Sequence, residues 1–187
     1  MSSADTSGVL LVAATEIELC EHSGLVCGVG PVEAATATAR ELALRPPAAV
    51  LHIGVAGARG ITPGSLVIGS GSVYADLSAE IQVIDHVEPD ARLLEAARQA
   101  LPEALVAPIG TSAAVGGSSG RADHALRVES MEGFGVLRAC GQAGIPALEL
   151  RAISNELSEG DRSRWRIGRA LEALAEALPK VLPALAE

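Results

Sequence analysis

The chain has 187 residues, of which 49% are hydrophobic, and a formal net charge of −9 at pH 7. This length supports one hydrophobic core and is too short for two ordinary domains, so we predict a single domain over residues 1–187. The acidic surface repels nucleic acid and anionic membranes, which excludes both as expected partners and leaves small molecules open.

Short apolar runs alternate along the chain with longer, alanine-rich amphipathic runs. In chain order, the predicted elements are strands at 9–14 and 25–29, a helix at 32–44, a strand at 49–53, strand segments at 66–68 and 72–74, a helix at 90–100, a strand at 105–109, a helix at 131–142, a strand at 147–153 and a helix at 164–178. Strands that alternate with helices predict an α/β fold, whose mostly parallel sheet is covered by helices on both faces.

Four segments with polar or glycine residues lie at or near the ends of predicted strands, where α/β sheets bind their ligands. They are residues 14–18, 54–58, 129–133 and 151–155. Each has an ordinary structural explanation, because acidic residues favour a first helical turn, glycines allow a tight strand exit and a Ser-Asn pair caps a turn. The two acidic segments, 14–18 and 129–133, also have a functional explanation, since a carboxylate can activate water or accept hydrogen bonds from sugar hydroxyls.

Taken together and in order, residues 14–18, 28–30, 54–57, 130–133 and 151–155 resemble the nucleoside phosphorylase superfamily. More narrowly, they are similar to its branch of 5′-methylthioadenosine/S-adenosylhomocysteine nucleosidases and futalosine hydrolases. The Met-Glu pair followed by Arg-Ala-Ile-Ser-Asn is the strongest portion. The resemblance implies a three-layer nucleoside phosphorylase-like fold with a central mixed, mostly parallel sheet flanked by helices, shortened between the first strand and residue 28.

The resemblance also implies roles for individual residues. Glu18 matches the water-activating glutamate of the family, and Asn155 stands where the methylthioadenosine nucleosidases have a catalytic aspartate. These two are the expected catalytic residues. The expected substrate-binding residues are Met131 and Glu132 at the ribose, Gly57 near the sugar and base, Val55 where many relatives have serine, Ser154 beside the catalytic position, Val115 in the segment that covers the purine, and Trp165.

Two of these positions, Val55 and Asn155, indicate which nucleophile and which purine base to expect. Val55 has no hydroxyl where a phosphate ligand is often found, and the nearby glycine-rich loop has only Arg59 as a cation, so hydrolysis is favoured over phosphorolysis. The amide of Asn155 has two donors, which suit N7 and O6 of a 6-oxopurine better than adenine. Futalosine carries such a base, hypoxanthine, and residues 155–167 resemble futalosine hydrolases. Within that segment Trp165 either packs in the core or lines the pocket, and the sequence leaves both open.

We therefore expect an enzyme, an N-glycosidic hydrolase that releases hypoxanthine from futalosine with water. Two alternatives keep the same fold: a methylthioadenosine/S-adenosylhomocysteine nucleosidase and a 6-oxopurine nucleoside phosphorylase. Two further alternatives are not enzymes: a nucleoside-binding sensor that has lost activity, and a plain α/β interaction module.

No cofactor or metal is expected. The histidines, His22, His52, His86 and His124, are scattered, and the three cysteines form no CxxC pair, which disfavours a zinc site or a disulfide framework. Residues 1–7 contain no basic residue and the apolar run at 9–14 is too short to cross a membrane, so we expect a soluble cytoplasmic protein. Relatives are usually dimers or larger, so the resemblance implies a homo-oligomer.

Overall fold

A computed structural model describes residues 8–77, 80–114 and 126–186. The strands are β1 (Val9–Ala13), β2 (Leu25–Val26), β3 (Ala49–Ala58), β4 (Leu66–Tyr74), β5 (His86–Val87), β6 (Leu105–Thr111), β7 (Val128–Ser130) and β8 (Ala147–Glu156). The helices are α1 (Pro31–Leu44), α2 (Ala91–Ala100), α3 (Gly133–Ala143) and α4 (Ile167–Ala186), with 3₁₀ turns at Glu16–Leu19 and Arg162–Arg164. The predicted alternation of strands and helices is confirmed.

The described strands form one mixed sheet in the order β2-β1-β3-β7-β6-β4-β5, and β8 pairs with both β3 and β4. Five of the eight pairings in the described chain are parallel, which confirms a mixed, mostly parallel sheet. Because β8 joins β3 to β4, the strands β3, β7, β6, β4 and β8 close into a ring. β1 and β2 extend the sheet from the first half of β3.

Alternate residues of the central strands face two different helical layers, as the two-residue period of a strand requires. Leu51 and Ile53 of β3 belong to a core shared with α2 and α4. Val50 between them belongs to a second core, shared with α1 and α3. The predicted three-layer arrangement is therefore confirmed. None of the helices in the described ranges combines the length and apolar character that a bilayer crossing needs.

β3 is longer than the sequence predicted. We expected a strand that ends at Ile53 and a glycine-containing loop after it, but the strand continues to Ala58. Its parallel partner β8 also runs further than predicted, to Glu156, and the two pair along this whole length. Pairing on the other side with β7 satisfies the remaining backbone groups of Gly57 and Ala58. Val55 and Gly57 are therefore strand residues.

Two helices, α3 and α4, differ from the prediction by more than one residue. The third helix begins at Gly133 instead of Met131, since Met131 and Glu132 form the bend between the short strand β7 and the helix, with Glu132 as the N-cap. The last helix begins at Ile167 and passes through Pro179 and Pro183 to Ala186, whereas the prediction stopped it at 178. Each internal proline costs about 3 kcal/mol, but apolar side chains after Leu178 stay buried, and burying each one contributes about 1.5–3 kcal/mol.

Candidate active site

One cavity of about 350 Å³ lies where β1, β3, β7 and β8 end. The predicted site residues that border it are Glu18, Val55, Gly57, Met131, Glu132, Ser154, Asn155 and Trp165. The remaining one, Val115, lies outside the described residues, although its neighbour Ala114 also borders the cavity. The structure thus gathers these residues around one space, while their individual roles stay predictions.

Glu18 is held by the start of its own 3₁₀ turn and by β3. Its Oε2 accepts hydrogen bonds from the backbone N of Thr15 at 3.1 Å and from Thr15 Oγ1 at 2.7 Å, in the manner of a helix capping box. Its Oε1 accepts a bond of 3.0 Å from the backbone N of Val55. The side chain is only 7% exposed. Glu18 therefore both caps the turn and presents a fixed carboxylate at the cavity.

Gly54 lets two charged groups approach the backbone of β3. A Cβ at this position would lie 2.3 Å from Nη1 of Arg151 and 2.8 Å from Oε1 of Glu18. These distances are shorter than any side-chain contact, so a larger residue would displace both groups. The glycine therefore serves close approach, and the guanidinium and the carboxylate converge on the same side of the strand.

Glu132 sits at the start of α3 and is 4% exposed. Its Oε1 accepts a hydrogen bond of 3.1 Å from the backbone N of Gly30, just before α1, and its Oε2 lies 3.6 Å from Nη2 of Arg151. Burial raises the pKa of Glu132 above its ordinary value of 4.5, although Arg151 and the Gly30 N–H act in the opposite direction. A carboxylate in this setting responds strongly to positive charge brought into the cavity.

Arg151 lies beside three carboxylates, those of Glu18, Glu132 and Glu149. The sequence prediction did not assign this arginine a role. The side chain is fully buried. Its Nε donates to Oε1 of Glu149 at 2.8 Å, and its Nη2 donates to Nε2 of His52. Nη1 has no hydrogen-bond partner among the described residues. This orphan donor is packed between Glu18 and the backbone of Gly54, so Arg151 places its charge behind the carboxylate and does not face the cavity.

A signal for this network does exist in the sequence. Glu149 and Arg151 interrupt the apolar run of β8 two residues apart, so they lie on the same face of the strand. Charged residues inside a strand that is buried on both faces must find partners there. The partners come from other strands, and β3 places His52 directly beside Glu149 in the register of the sheet.

His52 is fully buried and neutral. Its Nδ1 donates to the carbonyl of Val12 at 2.9 Å, which leaves Nε2 as the acceptor for Arg151. Burial and, to a smaller degree, the charge of Arg151 hold the pKa of His52 well below its ordinary value of 6.5. The neutral ring therefore fixes the orientation of the guanidinium without adding charge to the cluster.

Ser154 and Asn155 form the polar end of β8. Ser154 Oγ lies 2.7 Å from Oδ1 of Asn155, which accepts its hydrogen, and 3.2 Å from the carbonyl of Ala56. The Asn155 Nδ2 donates to the carbonyl of Glu156 at 3.0 Å. The sequence prediction assigned both amide hydrogens to the base, but one of them is used inside the protein. One donor of Asn155 is left for a ligand.

Trp165 borders the cavity and is half-buried, so the pocket-lining alternative is the one that the structure supports. Its indole Nε1 donates to the carbonyl of Glu159 at 3.0 Å, which fixes the ring. The guanidinium of Arg162 lies over the ring, 5.7 Å from its centroid.

Within the described ranges, no group of three or more His, Cys, Asp or Glu side chains is arranged to hold a metal ion.

This chain is similar to known proteins in sequence and in fold. A family model described as the phosphorylase superfamily matches residues 17–187. The futalosine hydrolase of Streptomyces coelicolor is 37% identical, with 86% of this chain and 78% of the relative covered. The futalosine hydrolase of Thermus thermophilus is 32% identical, with 84% of this chain and 80% of the relative covered. A solved 5′-methylthioadenosine/S-adenosylhomocysteine nucleosidase from Neisseria meningitidis, in complex with methylthio-immucillin-A, superposes with a TM-score of 0.82 at 21% identity, covering 96% of this chain and 100% of that one.

Proposed function

This chain belongs to the phosphorylase superfamily, and we propose that within it the chain is a futalosine hydrolase, an enzyme that cleaves the N-glycosidic bond of futalosine with water. The products are hypoxanthine and dehypoxanthine futalosine, and the reaction serves menaquinone biosynthesis. The observation that carries the proposal is the convergence of Glu18, Glu132 and Asn155 on one cavity. These three side chains supply what N-glycosidic hydrolysis needs at the water, the sugar and the leaving base.

The sugar is the site of charge development. Hydrolysis of an N-glycosidic bond passes through an oxocarbenium-like state, as glycoside hydrolysis does. We assign Glu132 to the ribose hydroxyls, with Met131 packing against the sugar. Because Glu132 is buried and its ionised form is poorly solvated, its attraction to the sugar grows as the sugar becomes positive.

The nucleophilic water is assigned to the cavity beside the carboxylate of Glu18. The backbone N of Val55 holds Oε1 of this carboxylate, and Nη1 of Arg151 lies behind it on the same side of β3. A water in the cavity can donate a hydrogen bond to the carboxylate. Glu18 then removes a proton as the water attacks C1′ of the sugar and the bond from C1′ to the base breaks.

The leaving base is assigned to Asn155. Its oxygen is occupied by Ser154, and one hydrogen of its Nδ2 is free for N7 or O6 of a purine. The amide is neutral, so the base departs as an anion that Asn155 stabilises by hydrogen bonding. The anion then takes up a proton from solvent, and Glu18 returns the proton of the attacking water to solvent. At N7 the one free donor suits either purine, whereas at the 6-position it suits the O6 acceptor of hypoxanthine and not the 6-amino group of adenine, which favours hypoxanthine.

Water is favoured over phosphate as the nucleophile. A phosphate dianion at the sugar would lie beside the carboxylates of Glu18 and Glu132. Arg162 is the one cationic side chain that borders the cavity in the described part of the chain, and it lies on the 3₁₀ turn after β8. Val55 contributes no hydroxyl to hold an oxyanion.

We also propose that the protein acts as a homo-oligomer in the cytoplasm. Ile17 and Val29 border the cavity mouth and Val32 follows on α1, and these three side chains are more than half exposed. An apolar rim around a substrate cavity is a surface that a second copy of the chain would cover. Light scattering of the purified protein tests this, since a strictly monomeric, fully active enzyme would contradict it.

A panel of nucleosides tests the proposed reaction. We expect the protein to release hypoxanthine from futalosine faster than it releases adenine from methylthioadenosine, as followed by chromatography of the free base. Preferential cleavage of methylthioadenosine would contradict the substrate assignment, and binding of every nucleoside without cleavage would indicate a sensor.

A further inference from the structure

One part of the cavity wall has no role in the proposed reaction. Glu18, Glu132 and Asn155 account for the water, the ribose and the base. The rest of the wall includes Arg162, Trp165 and Ile167 after β8, together with Ile17 and Val29 near the cavity mouth. A nucleoside has one further portion beyond its base and its ribose ring, the substituent at C5′. By elimination, this wall faces that substituent.

The segment that carries this wall is fixed in place. The backbone N of Arg166 donates to the carbonyl of Ser154 at 2.8 Å, so the segment runs directly past the end of β8. Cys20 Sγ lies 3.7 Å from the carbonyl of Leu171, which brings the turn that carries Ile17 against the first turns of α4. The wall is therefore one surface, mainly apolar, with a single guanidinium on it.

Arg162 is free to bind a ligand, unlike its neighbour Arg164. Arg164 forms ion pairs with Glu159 at 3.4 Å and with Asp161 at 3.6 Å. Within the described ranges Arg162 forms no such pair, and its guanidinium is held by the face of Trp165. Stacking of this kind uses the flat face of the guanidinium and leaves its N–H groups available in the plane.

The charge of the cavity favours a monoanion on this wall. Glu18, Glu129 and Glu132 border the same cavity, and Arg162 is its one cation among the described residues. A planar carboxylate matches the fork of a single guanidinium with two parallel hydrogen bonds. A phosphate dianion beside three glutamates would keep a charge that one arginine cannot compensate.

We infer that Arg162 is a specificity-determining residue that binds a carboxylate on the 5′ substituent of the nucleoside. The inference rests on the proposed function, because futalosine has a carboxylate on its 5′ arm whereas inosine has the same base and sugar without it. Trp165 and the apolar residues beside it cover the carbon skeleton of that arm, and the guanidinium pairs with its acidic end.

The experiment compares three substrates with four proteins. The substrates are futalosine, inosine and inosine 5′-monophosphate, which carry a carboxylate, no anion and a phosphate at the 5′ end. The proteins are the wild type, Arg162→Gln, Arg162→Lys and the matched control Arg164→Gln. We expect Arg162→Gln to lower kcat/KM for futalosine about 10-fold or more, mainly through KM, with inosine unchanged. Arg162→Lys should retain part of the activity, and Arg164→Gln should behave as the wild type.

The outcomes separate this inference from the proposed function. If futalosine is hydrolysed by the wild type and Arg162→Gln lowers futalosine and inosine equally, or neither, the inference is wrong and the function stands. Selective loss on inosine 5′-monophosphate would assign Arg162 to phosphate and also overturn it. If the wild type hydrolyses neither futalosine nor inosine, the proposed function fails, and calorimetric titration of futalosine into wild type and Arg162→Gln still decides whether Arg162 binds the carboxylate.

Discussion

The backbone N of Val55 donates a 3.0 Å hydrogen bond to Oε1 of Glu18. This bond joins β3 to the 3₁₀ turn after β1 and fixes the carboxylate at the cavity. It comes from the main chain, so the side chain at position 55 is not needed for it. The position where many relatives have serine therefore still helps to hold the expected general base, although valine offers no hydroxyl of its own.

Glu18→Gln tests the base. An amide cannot accept the proton of the attacking water, so we expect kcat on futalosine to fall about 100-fold or more. Glu16→Gln is the matched control, because Glu16 lies on the same turn but is exposed. Steady-state kinetics of both variants, with thermal melting as a check on folding, measures the effect. Equal activity of the two variants would contradict the role of Glu18.

Glu132 predicts a pH dependence of activity. Its pKa is raised by burial, so as the pH falls Glu132 gains its proton at a higher pH than an ordinary glutamate with a pKa of 4.5. The ribose contact needs the ionised form, and kcat should therefore fall on an acid limb that lies above pH 4.5. Glu132→Gln should have a strongly lowered kcat at all pH values while its melting temperature at pH 7.5 is retained. A pH-independent wild-type kcat down to pH 4.5 would refute this assignment.

His52 predicts a pH dependence of stability. The folded protein keeps His52 neutral, whereas the unfolded chain binds a proton below its ordinary pKa of 6.5. The stability that the neutral ring contributes is thus fully present above pH 6.5 and is lost as the pH falls below it, by up to about 1.4 kcal/mol per pH unit for one proton. Denaturant unfolding between pH 7.5 and 5 measures the slope.

The control for the stability measurement on His52 is a second histidine, His86, which is exposed. His52→Gln should be less stable than the wild type at pH 7.5, because the contacts to Val12 and Arg151 are impaired. Its stability should change less between pH 7.5 and 5. His86→Gln, at an exposed position, should keep the wild-type slope. Parallel curves for wild type and His52→Gln would show that His52 does not stay neutral in the folded state.

Asn155→Asp tests the choice of base. An ionised aspartate would repel O6 of hypoxanthine and lose the donor that Asn155 offers, so activity on futalosine should fall by about 1–3 kcal/mol in transition-state stabilisation. Activity on methylthioadenosine should be retained or gained. The ratio of kcat/KM for the two substrates measures the change. If Asn155 only caps the end of β8, the ratio will stay as it is in the wild type, since both residues serve as caps.

The parts of the site that lie at strand ends were predictable from the sequence. Glu18 and Asn155 follow apolar runs, and Glu132 stands near the start of a predicted helix, in an order that is typical of the superfamily and that a local pattern is enough to mark. The network under them was not predicted. Arg151 and His52 lie inside apolar strands, and only the adjacency of β3 and β8 in the sheet shows that they meet.

The fold was predictable to a similar degree and for similar reasons. The periodicity of the strands and helices correctly predicted a sheet with a helical layer on each face. The short strand β7 was not predicted, because its three residues owe their conformation to pairing with β3 and β6, which are distant in sequence. The end of α4 was missed because local proline rules stop the helix at 178, whereas the apolar face after Leu178 keeps it packed on the sheet.

The most direct test of the account is base release from futalosine in phosphate-free buffer made with ¹⁸O-labelled water. We predict stoichiometric hypoxanthine, an ¹⁸O atom at C1′ of the sugar product by mass spectrometry, and the same rate after addition of phosphate. A rate that depends strictly on phosphate, with a sugar 1-phosphate as the product, would contradict a hydrolase, and no hypoxanthine from futalosine under either condition would contradict the substrate.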